Sequence, residues 1–112
     1  MTTRQLNTDE ALLIRHLLTL ANDDRANLAL PKMVDVLDDG EMGSVRFANG
    51  QDRKYAKDIF AVEYIDTDNK LVIITLTADN LGDIFELDFW KTDFSKLITY
   101  PTPDKVKQHV DG

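Results

Sequence analysis

The apolar positions of this chain change period along its length, and the change separates a helix from the strands that follow. Within residues 7–21, Leu13, Leu17, Leu20 and Ala21 fall on one face with Ile14 and Leu18 beside them. That is the three-and-four spacing of an amphipathic helix. Arg15, His16 and Thr19 point outward. Asn7 followed three positions later by Glu10 makes a capping box, and Asp9 and Glu10 sit where the helix dipole favours negative charge. Asn22-Asp23-Asp24-Arg25 breaks the pattern. Residues 26–30 are compatible with a short helical turn that Pro31 stops.

After Pro31 the period shortens to two. Residues 32–37 and 43–47 flank Asp38-Asp39-Gly40-Glu41, a turn composition, and together predict a hairpin. Asn49-Gly50 is a second turn signal. A strand meander starts at Tyr55. Residues 59–65 are β-rich, Asp66-Thr67-Asp68-Asn69 turns, and residues 71–78 begin apolar on both faces, as a central strand does. Residues 79–83 turn again and residues 84–91 form the last clear strand. Alternation there puts Phe85, Leu87 and Phe89 on one face, and Glu86, Asp88 and Trp90 on the other. Phe94, Leu97 and Ile98 are expected to pack still. Tyr100-Pro101-Thr102-Pro103 closes the compact part, about residues 5–101. The tail beyond it either starts a short helix at Thr102 and Pro103 that continues through Val106 and Val110, or frays from about Gln108. The expectation is a single α+β domain over residues 1–112: an antiparallel sheet of about five strands with an N-terminal helix packed on one face.

Composition narrows the function. A chain of 112 residues with 43% apolar content can bury one core and has no room for a second. Cysteine is absent, which excludes disulfides and thiolate chemistry. The N-terminus lacks a signal-like apolar run, and no stretch approaches the ~20 residues of a spanning helix, so a cytoplasmic protein is expected. Net charge is −7, from 20 acidic and 13 basic residues. That sign disfavours direct contact with nucleic acid phosphates and with anionic membranes, and it favours basic proteins. It also serves solubility alone.

The chain shows little catalytic chemistry. His16 lies on the outward helix face and His109 in the tail, neither within a motif that supplies a nucleophile and an orienting partner. Asp66-Thr67-Asp68-Asn69-Lys70 resembles a calcium loop faintly, but it lacks the glycine and the terminal glutamate such a loop needs and carries a lysine; a hairpin turn accounts for it. Gly40-Glu41-Met42-Gly43-Ser44 matches no phosphate-binding fingerprint, and Gly43 is expected to permit a bulge or a sharp start to its strand. No catalytic residue, metal or cofactor is assigned. Two acidic groups remain. Glu86 and Asp88, with Trp90, form a stripe that reads as a solvated sheet face with Trp90 folded over by the C-terminal segment, as a binding surface, or as paired carboxylates for acid–base work. Asp35, Asp38, Asp39 and Glu41 cluster at the expected hairpin tip, where they either enter a basic cleft on a partner or simply make the turn.

Two segments carry a resemblance. Gly40-Glu41-Met42-Gly43-Ser44-Val45-Arg46-Phe47 and Phe85-Glu86-Leu87-Asp88-Phe89-Trp90-Lys91-Thr92-Asp93-Phe94-Ser95 together resemble a family of small, largely uncharacterised bacterial domains. That family is marked by a GMGS-[Leu/Val]-RF motif and an ELD-x-WK-x-DFS motif. Leu6 followed by Asp9-Glu10-Ala11-Leu12-Leu13 resembles its start. The chain departs from the pattern at Glu41, between Gly40 and Met42, and at Lys96, where a proline often follows. The resemblance implies no activity and no site residues. Small acidic domains of this style are similar to the immunity proteins of bacterial contact-dependent and polymorphic toxin systems. With the charge and the stripe, this makes the leading expectation a binding protein, not an enzyme, that neutralises a cognate toxin such as a basic nuclease by covering its active or substrate-binding surface. Glu86, Asp88 and Trp90 would meet that partner, then Asp38, Asp39 and Glu41. The alternatives are a small enzyme using Glu86 and Asp88, and a regulatory or scaffolding domain without a toxin partner.

Overall fold

A computed structural model describes residues 2–37, 41–48 and 52–110. The turn signals at Asp38-Asp39-Gly40 and Asn49-Gly50 lie outside the described residues.

Helix α1, Thr8–Leu20, begins as its sequence dictates. The Asn7 side chain accepts the Glu10 N–H at 2.8 Å and the Glu10 carboxylate accepts the Asn7 N–H at 3.0 Å. Glu10 is buried, and Arg4 donates to both of its oxygens at 2.8 Å, which ties the strand before the helix to the cap. Leu13, Ile14, Leu17 and Leu18 are fully buried. Leu20, expected on the same face, is largely exposed. At 100° per residue it sits about 90° from the centre of the buried stripe, so it flanks the contact instead of making it. Arg15 is not fully outward either: it donates to the carbonyls of Ala26 and Leu28 at 2.9 and 3.0 Å and fixes the 3₁₀ turn Asp24–Asn27 against the helix.

The five expected strands form as β2 (Met33–Val36), β3 (Val45–Phe47), β4 (Tyr55–Ile65), β5 (Leu71–Asp79) and β6 (Ile84–Lys91). Among the described residues the sheet nevertheless has seven strands. β1 (Thr2–Gln5) and β7 (Lys107–Gln108) complete an antiparallel order β1-β2-β3-β6-β5-β4-β7. Both additions are short, polar edge strands that show no alternation. The backbone groups left open along β2 and β4 recruit them, and no pattern of their own does. The tail therefore makes one 3₁₀ turn, Pro103–Lys105, and then a strand in place of either the helix or the fraying expected for it.

One face of the sheet lies under α1, where Val34, Val45, Val62, Val72, Ile74, Leu76 and Leu87 have no solvent exposure. Burying each such side chain contributes about 1.5–3 kcal/mol. Leu76 is opposite Leu87, but Ala78 is opposite Ile84, so β6 carries one extra residue there. Ile84 takes the position in the cluster under α1, and Phe85, expected to join Leu87 and Phe89 inside, is buried as well but lies against two guanidinium groups. Arg46 and Arg53 lie 4.9 and 5.2 Å from its ring centre. Gly43 has φ +92, a backbone conformation that side-chain-bearing residues rarely adopt, so the approach to the strand favours glycine. Among the described residues, no helix is long and apolar enough to cross a membrane.

Candidate functional site

Among the described residues no helix lies over the other face of the sheet, and its register fixes which side chains stand together. Thr3 pairs with Asp35, Asp35 with Arg46, and Arg46 with Glu86. Further along, Trp90 is opposite Ile73, Ile73 opposite Glu63, and Glu63 opposite Lys107. Directly opposed residues share a face, so these form two parallel rows running across the sheet.

The first row is polar and internally compensated. Thr3 Oγ1 donates to Asp35 at 2.5 Å, and Arg46 donates to Glu86 Oε2 through Nε at 2.7 Å and through Nη2. The stripe expected from β6 alone is thus less negative than it reads, because β3 brings a guanidinium to Glu86. Asp88, half-buried, lies with Oδ1 3.5 Å from the Ser44 hydroxyl, which itself accepts the Phe89 N–H at 2.8 Å. Asp38 and Asp39 lie outside the described residues. Glu41 is exposed and faces Lys96 at 3.7 Å. The structure therefore places Glu86, Asp88 and Trp90 on one strand face and gives Glu41 a different neighbour.

The second row ends in exposed apolar surface. Trp90 is 49% exposed and the Phe94 ring, 69% exposed, meets it edge-on at 5.2 Å. Phe94 sits in the turn after β6 with φ 63, its N–H donating to the Lys91 carbonyl at 2.9 Å. Of the readings open for this stripe, a C-terminal cover over Trp90 is not seen among the described residues beyond this ring. Leu97 and Tyr100 pack against the core, whereas Phe94 and Ile98, both expected to pack, are exposed. Ile65, 54% exposed and opposite Leu71, extends the apolar surface past Ile73. Phe94 and Ile65 are the members of this surface that sequence reasoning missed. For Ile65 the parity with Glu63 was available; for Phe94 nothing local announced a left-handed turn residue.

At the far end of that row Glu63 accepts from the His109 ring at 2.9 Å and lies 3.6 Å from Lys107 Nζ. The His109 hydrogen bond holds the Glu63 carboxyl below its ordinary range, against a smaller effect of burial, with Lys107 helping. These contacts tie β7 to the edge of β4.

A buried charged cluster supports the aromatic end from beneath. Lys91 shares parity with Leu87 and Phe89, so its stem enters the core face. The side chain is buried, with Nζ 2.9 Å from Asp66, 2.7 Å from Asp68 and 2.8 Å from the Lys96 carbonyl. Burial alone lowers the affinity of this amine for its proton, but the bonds to Asp68 and Asp66 outweigh it and raise its pKa. Asp66 also accepts the N–H groups of Ile98, Thr99 and Thr67 at 2.8, 3.1 and 2.7 Å. Burial pushes this carboxyl up, and the three N–H donors with Lys91 together pull it down to about 2. The carboxylates of the Asp66-Thr67-Asp68-Asn69-Lys70 turn thus hold an internal ammonium. They fix the β4–β5 turn to residues 96–99, next to Phe94.

The family described as a domain of unknown function (DUF6984) matches residues 3–101. The chain belongs to DUF6984. Neither a curated protein nor a solved structure matches it. The DUF6984 match begins within β1, includes α1, the Trp90–Phe94 pair and the Lys91 cluster, and stops before β7.

Proposed function

We propose that this DUF6984 domain is a binding protein of the immunity type, working in the cytoplasm. Its target is a cognate bacterial toxin domain, a basic nuclease by the charge argument, whose active or substrate-binding surface it covers with the open face of its sheet. The observation that carries this reading is the Trp90–Phe94 pair, 49% and 69% exposed on a sheet face with no helix above it among the described residues. A sheet with one solvated face normally alternates apolar inside and polar outside. Here Ile65, Ile73, Trp90 and Phe94 depart from that pattern. Tryptophan is the residue most enriched among interface hot spots, and a hydrogen-bonded strand presents it with little ordering cost on association.

The net charge of −7 steers a basic partner toward this domain and speeds capture at low salt. Trp90 is the anchor. Asp88 beside it supplies charge, Glu86 acts as part of a pair with Arg46, and Glu41 with Asp38 and Asp39 forms the outlying acidic contact. The test is direct binding to the purified product of the adjacent reading frame at low and high salt. A complex that weakens as salt rises is expected; no complex at low salt ends the proposal.

A further inference from the structure

Trp90 and Phe94 offer more than apolar area. Their rings are both exposed, with centres 5.2 Å apart and planes inclined at 65°. The face of an aromatic ring carries negative potential, and it attracts a cation held within about 6 Å of the ring centre. Phe94 also sits at φ 63, a left-handed conformation that glycine or asparagine adopts with less strain. Neither that conformation nor the exposed ring stabilises the fold, so the use of this side chain lies outside the fold.

Carboxylates adjoin both rings. Asp93, exposed and next to Phe94, accepts from the Ser95 N–H at 3.0 Å and from its hydroxyl at 2.6 Å, both on Oδ1. Among the described residues no hydrogen bond reaches Asp93 Oδ2. Asp88 lies two positions before Trp90 on the same strand face, roughly 7 Å along β6. Of the cations that act on Asp93, Lys91 is buried with Asp66 and Asp68, and Lys70 is exposed.

The same sheet shows what a ring beside a carboxylate holds. The Arg46 guanidinium lies 4.9 Å from the Phe85 ring centre and at the same time donates to the carboxylate of Glu86, the next residue. Asp93 and Phe94 repeat that neighbouring carboxylate and ring, with Trp90 added. Among the described residues no guanidinium lies over either of these rings.

We infer that the Trp90–Phe94 pair receives an arginine side chain of a basic partner protein, its guanidinium stacked on the rings and paired with the Asp93 carboxylate. A planar guanidinium can stack on a ring and still direct N–H donors sideways to a carboxylate, and it is more weakly hydrated than an ammonium, so arginine fits where lysine does not. This deepens the proposed function and rests on it for the basic character of the partner.

The test is a titration of the full chain at low salt with a peptide of three arginines spaced by glycine, and with its lysine and citrulline counterparts. Trp90 is the only tryptophan, so its fluorescence reports on the site, and NMR locates the peptide. The arginine peptide is expected to change that emission saturably and to give contacts from its δ-methylenes to both rings. It should bind at least about threefold more tightly than the equally charged lysine peptide, and at least about tenfold more tightly than the neutral citrulline peptide. Phe94→Leu keeps apolar bulk without a π-face and is expected to bring arginine within about twofold of lysine. Asp93→Asn keeps an acceptor for Ser95 without the charge and is expected to weaken the arginine peptide at least about threefold. Should either variant not fold, the peptide ranking and the contacts in the unaltered protein decide. Equal binding of the lysine or citrulline peptide overturns the inference. So does the absence of contacts at Trp90 and Phe94, an undiminished arginine preference in folded Phe94→Leu, or undiminished affinity in folded Asp93→Asn. These titrations contain no toxin, so their failure is distinct from failure of the adjacent gene's product to bind.

Discussion

Between α1 and the sheet, Leu17, Ile74 and Leu87 are fully buried; on the opposite side of the sheet, Trp90 on β6 and Phe94 in the turn after it are 49% and 69% exposed. Both sets are large and apolar, and β6 supplies residues to both. The covered set has an evident cause, since removing it from water drives folding. The exposed set gains little of that free energy. Its placement is nonetheless well defined: β5 and β6 fix the register of Trp90, and the Lys91 cluster holds the segment that follows Phe94. A side chain held in place without being buried is available to a partner. The contrast between the two faces is therefore a contrast between stability and recognition, and it can be tested residue by residue.

The largest loss of stability is expected beneath the exposed pair. Asp66→Ala deprives Lys91 of one carboxylate and strands the N–H groups of Ile98 and Thr99. Urea denaturation should register about 3–5 kcal/mol. On the covered face, Leu17→Ala should cost about 2–5 kcal/mol by the same measurement. Acid should reproduce part of the Asp66 effect. Its folded-state carboxyl lies at about 2 against an ordinary 3.8, so its contribution is complete above about pH 4 and is lost as pH falls toward 2. That contribution is roughly 2 kcal/mol. Unfolding midpoints of the unaltered protein and of Asp66→Asn, compared between pH 6 and pH 2.5, should show a smaller drop in the variant.

The open face should respond weakly. Glu86→Gln removes a partly exposed ion pair with Arg46 and should cost no more than about 1 kcal/mol. Phe94→Ala, smallest of all, should fall within about 0.5 kcal/mol. A Phe94→Ala loss as large as that of Leu17→Ala would erase the distinction between the two faces.

What the residues announced, and what they withheld, follows the same physical line. The helix and the five inner strands carry their own periodicity, because each buries a face, and Asn7 with Glu10 signals the helix start directly. β1 and β7 bury nothing of their own; their pairing is a property of the open edges of β2 and β4. The extra residue in β6 leaves Phe85 buried, as expected, but sets it against Arg46 and Arg53 and outside the cluster under α1, since strict alternation cannot anticipate a bulge. The acidic stripe was legible as Glu86, Asp88 and Trp90, but its electrostatics were not, because Arg46 arrives from a strand forty residues earlier in the chain. Lys91 could have been placed by its parity with Phe89. Its two carboxylate partners come from a turn that looked like local chemistry only.

The central claim, that the exposed aromatic end of the sheet is a recognition surface, is tested most directly by calorimetric titration of the adjacent gene's product into the unaltered domain and into Trp90→Ala. An affinity loss of about 2 kcal/mol, near thirtyfold, is expected while the variant keeps its urea midpoint within about 1 kcal/mol of the original. Unchanged affinity in a folded Trp90→Ala domain would contradict it.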